Sequence, residues 1–272
     1  MHTYGIIGDP VKHSLSPPMQ VAAFQERGLD ADYSRFHVDA DDVESAVDGA
    51  EVLGIEGLNV TIPHKRSVAE LDTVETRELA EMTDAVNTLD FRDGKILGFN
   101  TDGAGARRAL ERAGAEIEDG RVVVVGAGGA SRGISFELAR NGVDLKILNR
   151  TASKARELAS DIRGYGFEAD GAGLDVLSDA VDEADVLVNA TSVGMKEDET
   201  PVPGKHLHSD LVVFDAVYTP LETRLLREAR EAGAETVEGA WMLVLQGAEA
   251  FEIWTDLEAP IETMNRVLRE KL

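Results

Sequence analysis

Cysteine is absent from the 272-residue chain, which excludes disulfide bridges, thiolate zinc sites and cysteine nucleophiles. No apolar run approaches the roughly 20 residues a membrane-spanning helix needs. The opening Met1-His2-Thr3-Tyr4-Gly5 lacks the basic start and apolar stretch of a secretory signal. Lysine is scarce, eight of 27 basic residues, and against 51 acidic residues the formal net charge is −24. A surface of that sign repels phosphate backbones and anionic bilayers, so neither nucleic acid nor membrane is an expected partner. The carboxylates are spread through every segment instead of gathering in a tail. With so little lysine, they point to adaptation to concentrated salt, where the Debye length falls to about 3 Å near 1 M. A soluble cytoplasmic protein is expected. The 26 glycines follow no period, which excludes collagen-like structure, and 43% hydrophobic residues suffice for one or two packed cores.

Strand and helix patterns alternate along the chain. Tyr4 to Gly8 reads as a short strand and the stretch from Pro17-Pro18 to Arg27 as a helix. A strand over Asp32 to Val38, a helix over Asp41 to Leu53 and a strand over Gly57 to Ile62 complete a βαβαβ run. Such a run predicts a parallel sheet with helices on both faces. A strand pair about the turn Asp93-Gly94 follows, then a helix over Ala104 to Ala113. At Arg121 the pattern restarts: four consecutive valines, Val122 to Val125, predict a strand buried on both faces. A glycine cluster, a helix over Ser131 to Arg140 and strands over Asp144 to Leu148, Asp185 to Asn189 and Leu211 to Asp215 come next. Helices over Ala240 to Trp254 and Ile261 to Lys271 close the chain. The fold class is α/β in two domains, residues 1–103 plus 240–272 and residues 104–239.

The glycine cluster carries chemistry. Gly126-Ala127-Gly128-Gly129-Ala130-Ser131 lies between a strand and a helix, where a pyrophosphate meets free backbone N–H groups and the positive end of a helix dipole. Ser131 replaces the third glycine of the usual dinucleotide fingerprint, a small residue that still allows close packing. About 20 residues further on, an NAD enzyme places a carboxylate for the ribose 2′-hydroxyl. Here stand Asn149-Arg150-Thr151, with Lys154 one turn into the next helix. A guanidinium, a hydroxyl and an ammonium suit a 2′-phosphate, so NADP is the expected cofactor. Lys154 alone would equally suit a solvated helix face.

The first half places polar residues at strand ends. Ser14 and Ser16 precede Pro17, and Ser16 is suited to N-cap the helix that proline begins. In Asn59-Val60-Thr61-Ile62-Pro63-His64-Lys65, alternation sends Val60 and Ile62 to the core and Asn59 and Thr61 to the other face. Pro63 ends the strand and leaves Lys65 beyond its carboxyl end, where open α/β sheets bind ligands. Asn87 and Asp102 flank the strand pair, and Lys65 with Asp102 could move protons. Gln246 is a single amide in an apolar helix, to be satisfied by a ligand hydroxyl or by a neighbouring helix. The six histidines show no helical ligand spacing, so no metal is expected, a weak His206–His208 pair apart.

In order, Ser-x-Ser-Pro at 14–17, Asn-Val-Thr-Ile-Pro-His-Lys at 59–65, Ala-Val-Asn-Thr at 85–88 and Asn-Thr-Asp-Gly at 100–103 resemble the shikimate dehydrogenase family. The same holds for Gly-Ala-Gly-Gly-Ala-Ser at 126–131, Asn-Arg-Thr at 149–151, Asn-Ala-Thr-Ser at 189–192 and Asp-x-x-Tyr-x-Pro at 215–220. The resemblance spans nearly the whole chain. It implies an N-terminal α/β substrate domain and a Rossmann-type NADP-binding domain with the active-site cleft between them, and NADP(H)-linked reduction of 3-dehydroshikimate to shikimate. It further implies Lys65 as acid/base with Asp102 beside it. Ser14, Ser16, Thr61, Asn87, Asp102, Tyr218 and Gln246 would hold the substrate. Glu78, Gly126, Ala127, Gly128, Gly129, Ala130, Asn149, Arg150, Thr151, Ala152, Ser153, Lys154, Ala216 and Gly239 would meet the cofactor. A homodimer is compatible with the chain. Two alternatives stand beside it: a quinate or dual-specificity dehydrogenase, and a non-catalytic NADP(H)-binding sensor of the same fold.

The charge generates a prediction. Removing salt unscreens the carboxylates, so melting temperature and activity should fall together between about 2 M KCl and dilute buffer. A melting temperature indifferent to salt would end the salt-adaptation reading.

Overall fold

A buried parallel strand hydrogen-bonds to both neighbours along its length and buries both faces, so it tolerates little but apolar residues. The two sheets of this protein follow that rule. The computed structural model describes residues 1–272, the side chain of Asp93 excepted, and divides them into two units, Met1–Thr101 with Val244–Leu272, and Asp102–Leu243.

In the first unit β1 (His2–Gly8), α1 (Ser16–Glu26), β2 (Ala31–His37), α2 (Val43–Val52) and β3 (Gly57–Val60) alternate as expected. There follow α3 (Lys65–Ala69), β4 (Val74–Thr76), α4 (Leu79–Thr83), β5 (Thr88–Asp90) and β6 (Ile96–Phe99). The sheet order is β2-β1-β3-β5-β6-β4. β1 pairs parallel with β2 and β3, whereas β5 runs antiparallel to β3 and β6. The ends of β1, β3 and β6 and the start of β5 therefore share one edge.

The second unit holds α5 (Asp102–Arg112), β7 (Arg121–Val125), α6 (Gly129–Arg140), β8 (Asp144–Leu148), α7 (Ala152–Gly164) and β9 (Asp170–Ala172). It continues through α8 (Leu177–Asp182), β10 (Val186–Asn189), β11 (Val212–Asp215), α9 (Arg224–Glu231) and β12 (Glu235–Glu238). All pairings are parallel in the order β12-β11-β10-β7-β8-β9. Counted from β7 that is 3-2-1-4-5-6, the doubly wound order of dinucleotide-binding sheets, whose switch point lies between β7 and β10. Val123, Val125, Leu187 and Val213 pack against Val181 of α8 and Leu225 and Leu226 of α9. The alternate valines, Val122 and Val124, are buried on the opposite face.

Two last helices, α10 (Gly239–Thr255) and α11 (Ile261–Arg269), complete the chain. The unit boundary falls inside α10, and none of the helices among the described residues is long and apolar enough to cross a membrane. On one face of the first sheet Ile7, Leu58, Val60, Val43 and Val47 form a core. On the other, Tyr4 stacks between Phe24 and Trp254 at centroid distances of 4.9 and 5.1 Å, and Phe24 meets Phe251 at 5.5 Å. Trp254 is 1% exposed and donates its Nε1–H to the Leu89 carbonyl at 2.9 Å.

Two expectations fail here. Ile62 is not a core residue: β3 stops at Val60, Thr61 to His64 form a turn, and Ile62 is 73% exposed. Ser16 is not the N-cap of α1. It is the first helical residue, Leu15 holds the cap position, and no side chain caps it. Prolines are accepted at the next two positions because the first N–H groups of a helix have no partner within it. The three-residue strands β4 and β9 are too short for periodicity to show.

Gly57 explains how Trp254 enters. A Cβ on Gly57 would overlap the indole, which has no room to retreat. Gly57→Ala should therefore cost about 1–3 kcal/mol by overpacking, read as a lower urea midpoint. An unchanged midpoint would mean that the indole shifts freely.

Candidate functional site

In the first unit the substrate candidates gather at the shared sheet edge. The segment after β1 brings Ser14 and Ser16. The Arg35 guanidinium of β2 donates to the Ser14 carbonyl from Nη2 at 2.6 Å and Nε at 3.2 Å, and the Ser16 N–H donates to Ser14 Oγ at 3.3 Å. After β3, the Thr61 N–H donates to the Ile7 carbonyl at 3.0 Å and the Asp9 N–H to the Ile62 carbonyl at 3.0 Å. The turn carrying Thr61 is thus tied to the end of β1. Gly8 makes room for it, since a Cβ there would overlap the Thr61 methyl. His64 is 1% exposed and its Nε2 bonds the Val38 carbonyl at 2.7 Å, a packing role. Lys65 opens α3 half-buried, and its carbonyl accepts the Val86 N–H at 2.8 Å.

Asn87 and Gln246 meet directly: Asn87 Nδ2 donates to Gln246 Oε1 at 3.2 Å. One partner of Gln246 is thus a side chain from the loop before β5, and Gln246 is half-buried. Asn87 is 2% exposed and also accepts the Thr101 N–H at 2.8 Å. Behind these groups lie residues that sequence reasoning left unassigned: Tyr33, Asn59, Thr88 and Thr101, all buried. Their signal is a polar side chain inside an apolar strand, as Asn59 is between Leu58 and Val60. Burial holds the Tyr33 hydroxyl well above the ordinary tyrosine pKa, against the opposing influence of the Ser16 hydroxyl beside it and the Arg35 charge. Glu78 precedes α4 with φ 39° and ψ −110°, a backbone conformation rare for a residue with a side chain.

The second unit holds Asp102, Tyr218 and the remaining cofactor candidates. Asp102 is the first residue of α5, half-buried, where the helix dipole favours a carboxylate. Gly126 has φ +126°, and a Cβ on it would lie 2.9 Å from the Ala190 carbonyl oxygen. The loops after β7 and β10 thus meet closely at the switch point. Gly128 and Gly129 differ: a Cβ on either meets nothing within 4 Å. Packing within the protein does not require glycine there, whereas a closely approaching phosphate does. Gly128 caps α6, and Gly128 to Ala130 are exposed, so the start of that helix is open to solvent. Ser131 is fully buried and donates to the Gly126 carbonyl at 2.7 Å, fastening the loop from inside.

Past β8, Asn149 Nδ2 donates to the Thr151 carbonyl at 3.0 Å, and Arg150, Thr151, Ser153 and Lys154 are exposed around the start of α7, with Ala152 half-buried. Among the described residues no carboxylate pairs with Arg150 or Lys154. Past β11, the fully buried Asp215 receives Asn189 Nδ2 at 2.9 Å, the Val217 N–H at 3.0 Å and the Thr223 hydroxyl at 2.6 Å. Burial raises the Asp215 pKa from its ordinary value, with the three donors opposing. These bonds place Ala216 and Tyr218, the latter 40% exposed. Gly239 is needed next to them, because a Cβ would lie 2.6 Å from the Ala216 and Val217 carbonyls. No metal is expected, and of the two histidines set apart from that expectation, His206 bonds Ser178 Oγ at 3.0 Å and His208 the Val181 carbonyl at 3.1 Å.

Known proteins share this arrangement. The shikimate dehydrogenase substrate binding domain matches residues 6–89, the shikimate / quinate 5-dehydrogenase domain residues 107–197 and the shikimate 5'-dehydrogenase C-terminal domain residues 239–269. The shikimate dehydrogenases (NADP(+)) of Natronomonas pharaonis and Haloarcula marismortui, both halophilic archaea, are each 55% identical over 272 residues, covering 100% of both chains. Among solved structures, a shikimate dehydrogenase in complex with NADP+ superposes with a TM-score of 0.90 at 43% identity, covering 100% of this chain and 96% of that one. With relatives this similar matched from end to end, and with the dinucleotide loop and polar sheet edge in place, the chain belongs to the shikimate dehydrogenase family.

Proposed function

We propose that this protein catalyses the reversible NADP(H)-dependent reduction of 3-dehydroshikimate to shikimate, in the cytoplasm, as a step of chorismate and aromatic amino-acid biosynthesis. The observation that carries the reading is the polar edge of the first sheet, where Lys65 opens α3 in the turn after β3 and Asn87 and Gln246 join at 3.2 Å. Four nearby groups, the hydroxyls of Ser14, Ser16 and Thr61 and the Asn87 amide, suit a small polyhydroxylated carboxylate.

Lys65 is the acid/base. In reduction its ammonium gives a proton to the C3 carbonyl oxygen, and in oxidation its amine takes that proton back from the hydroxyl. Asp102 serves as the carboxylate partner of this transfer. Ser14, Ser16, Thr61, Asn87, Tyr218 and Gln246 hold the substrate hydroxyls and carboxylate. The dinucleotide, when bound, supplies the hydride and accepts it in the reverse direction. Gly126 to Ala130 would hold its pyrophosphate at the start of α6, and Arg150, Thr151 and Lys154 its 2′-phosphate. Asn149, Ala152, Ser153, Ala216, Gly239 and Glu78 would complete its surroundings.

Steady-state NADP+ reduction by shikimate tests the reaction, with quinate run alongside. Lys65→Ala should lower kcat by about 10²–10⁴-fold while KM for shikimate moves far less. Lys65→Met, which keeps the apolar stem, should behave alike. Near wild-type kcat with a raised KM would make Lys65 a binding residue only. A separate variant tests the cofactor assignment. Arg150→Asp turns a charge-assisted contact into repulsion and should abolish the preference for NADP+ over NAD+ in kcat/KM. An unchanged preference would remove Arg150 from the 2′-phosphate site.

A further inference from the structure

Arg35 has no part in the proposed reaction, yet it is set apart from many other arginines of this chain. Arg92, Arg107, Arg132 and Arg140 each pair with a carboxylate. Arg35 is held by a backbone carbonyl instead, that of Ser14, to which it donates from Nη2 at 2.6 Å and from Nε at 3.2 Å. Among the described residues no carboxylate pairs with it; Asp9 and Asp39, at the ends of β1 and β2, turn to His37 at 3.7 and 3.3 Å. A carbonyl occupies donors without cancelling charge, so a full positive charge stays beside Ser14. β2 is the outermost strand of its sheet, where a charge can serve merely to guard the edge. A guard stands in solvent, however, whereas this guanidinium is fastened to a segment 21 residues away in the chain. It stands level with Ile6 of β1 and Asn59 of β3, close to the carboxyl ends where the substrate candidates gather. Its charge is felt there: burial raises the pKa of the Tyr33 hydroxyl, and the Ser16 hydroxyl and the Arg35 charge oppose that rise.

We propose that Arg35 sets the preference for an anionic substrate: fastened by the Ser14 carbonyl, its guanidinium supplies the positive charge that draws the substrate carboxylate to the Ser14 and Ser16 hydroxyls. The inference deepens the proposed function and rests on it. A carboxylate offers only acceptors, and serine hydroxyls can donate to it but carry no charge. A chain of net charge −24 repels anions at long range, so the attraction has to be local. Lys65 does not supply it in both directions of the reaction, because as the base it starts as a neutral amine. An arginine stays protonated throughout. Arg35 is exposed, so water and salt weaken its pull and the expected effect is moderate.

The test uses the full-length protein and NADP+ reduction by shikimate at one fixed KCl concentration. Arg35→Gln keeps an amide donor for the Ser14 carbonyl and removes the charge. It should raise KM for shikimate about five- to tenfold, while kcat and KM for NADP+ stay within about twofold. Shikimate methyl ester, which lacks the carboxylate charge, is the control. Its kcat/KM, or its inhibition constant against shikimate where turnover is too slow to read, should be the same with and without the substitution. An equal loss for ester and acid would make Arg35 a prop for the Ser14 segment and overturn the proposal, as would an unchanged KM for shikimate. Arg35→Lys keeps the charge but not the fork, and its KM should stay within about twofold of the unsubstituted protein; a rise as large as that of Arg35→Gln also overturns the proposal. Arg35→Met, which keeps the apolar stem, takes the place of Arg35→Gln if that variant does not fold. Absence of shikimate-dependent activity in the unsubstituted protein would overturn the function and this inference together, whereas an active enzyme whose KM is indifferent to the charge at position 35 would overturn the inference alone.

Discussion

Parallel strand pairing is the constraint on which the rest depends. β1, β3, β7 and β10 hydrogen-bond to a neighbour on each side and bury every residue over most of their length. A polar side chain along such a strand must find its partners inside, as Asn59 does on β3, and the others are displaced to the carboxyl ends, where the chain leaves the sheet. Ser14 and Ser16 follow β1, Thr61 and Lys65 follow β3, and Gly126 to Ala130 follow β7. In the first sheet the antiparallel β5 and β6 add Asn87 and Thr101 to the same edge. Helices begin where these loops end, so Lys65, Asp102 and Gly129 each stand at a helix start.

Loops at strand ends need to be held, and the structure does so with buried polar groups that have one satisfying arrangement. Asp215 ties the ends of β10 and β11 together through Asn189, Val217 and Thr223. Asn59 and Asn87 do the same in the first unit. An unsatisfied buried donor or acceptor costs about 1–3 kcal/mol, so each such network resists rearrangement as a whole. Glycine supplies the complementary device, close approach of backbone to backbone, at Gly126 against Ala190 and at Gly239 against Ala216.

The charge distribution follows the same economy. Arginine outnumbers lysine, and several arginines neutralise carboxylates that are themselves buried. Glu137, fully buried, receives Arg107 and Arg140, and Asp90, 5% exposed, receives Arg92. A planar guanidinium with several donors serves such sites better than an ammonium. Against this background Arg150 and Lys154, exposed at the start of α7, form a local cationic site in a chain of net charge −24.

Composition and pattern alone determined much of this protein. The valine run named the central strand of the second sheet, the glycine loop and Arg150 named the dinucleotide end, and the ordered motifs named the family, because each is carried by residues adjacent in the chain. Ile62 shows the limit. Alternation assigned it to the core, but where a strand stops is decided by pairing with its neighbours, and β3 ends before reaching it. Ser16 was a plausible cap until Ser14 and Arg35 arranged the turn before it. Gln246 was legible as an amide needing a partner, but that Asn87, 159 residues away, is one belongs to the fold. The buried bond from the Tyr33 hydroxyl to Asn59 Oδ1 was likewise invisible, since hydrogen-bond partners are settled only when donors and acceptors distant in the chain are brought within about 3 Å of one another.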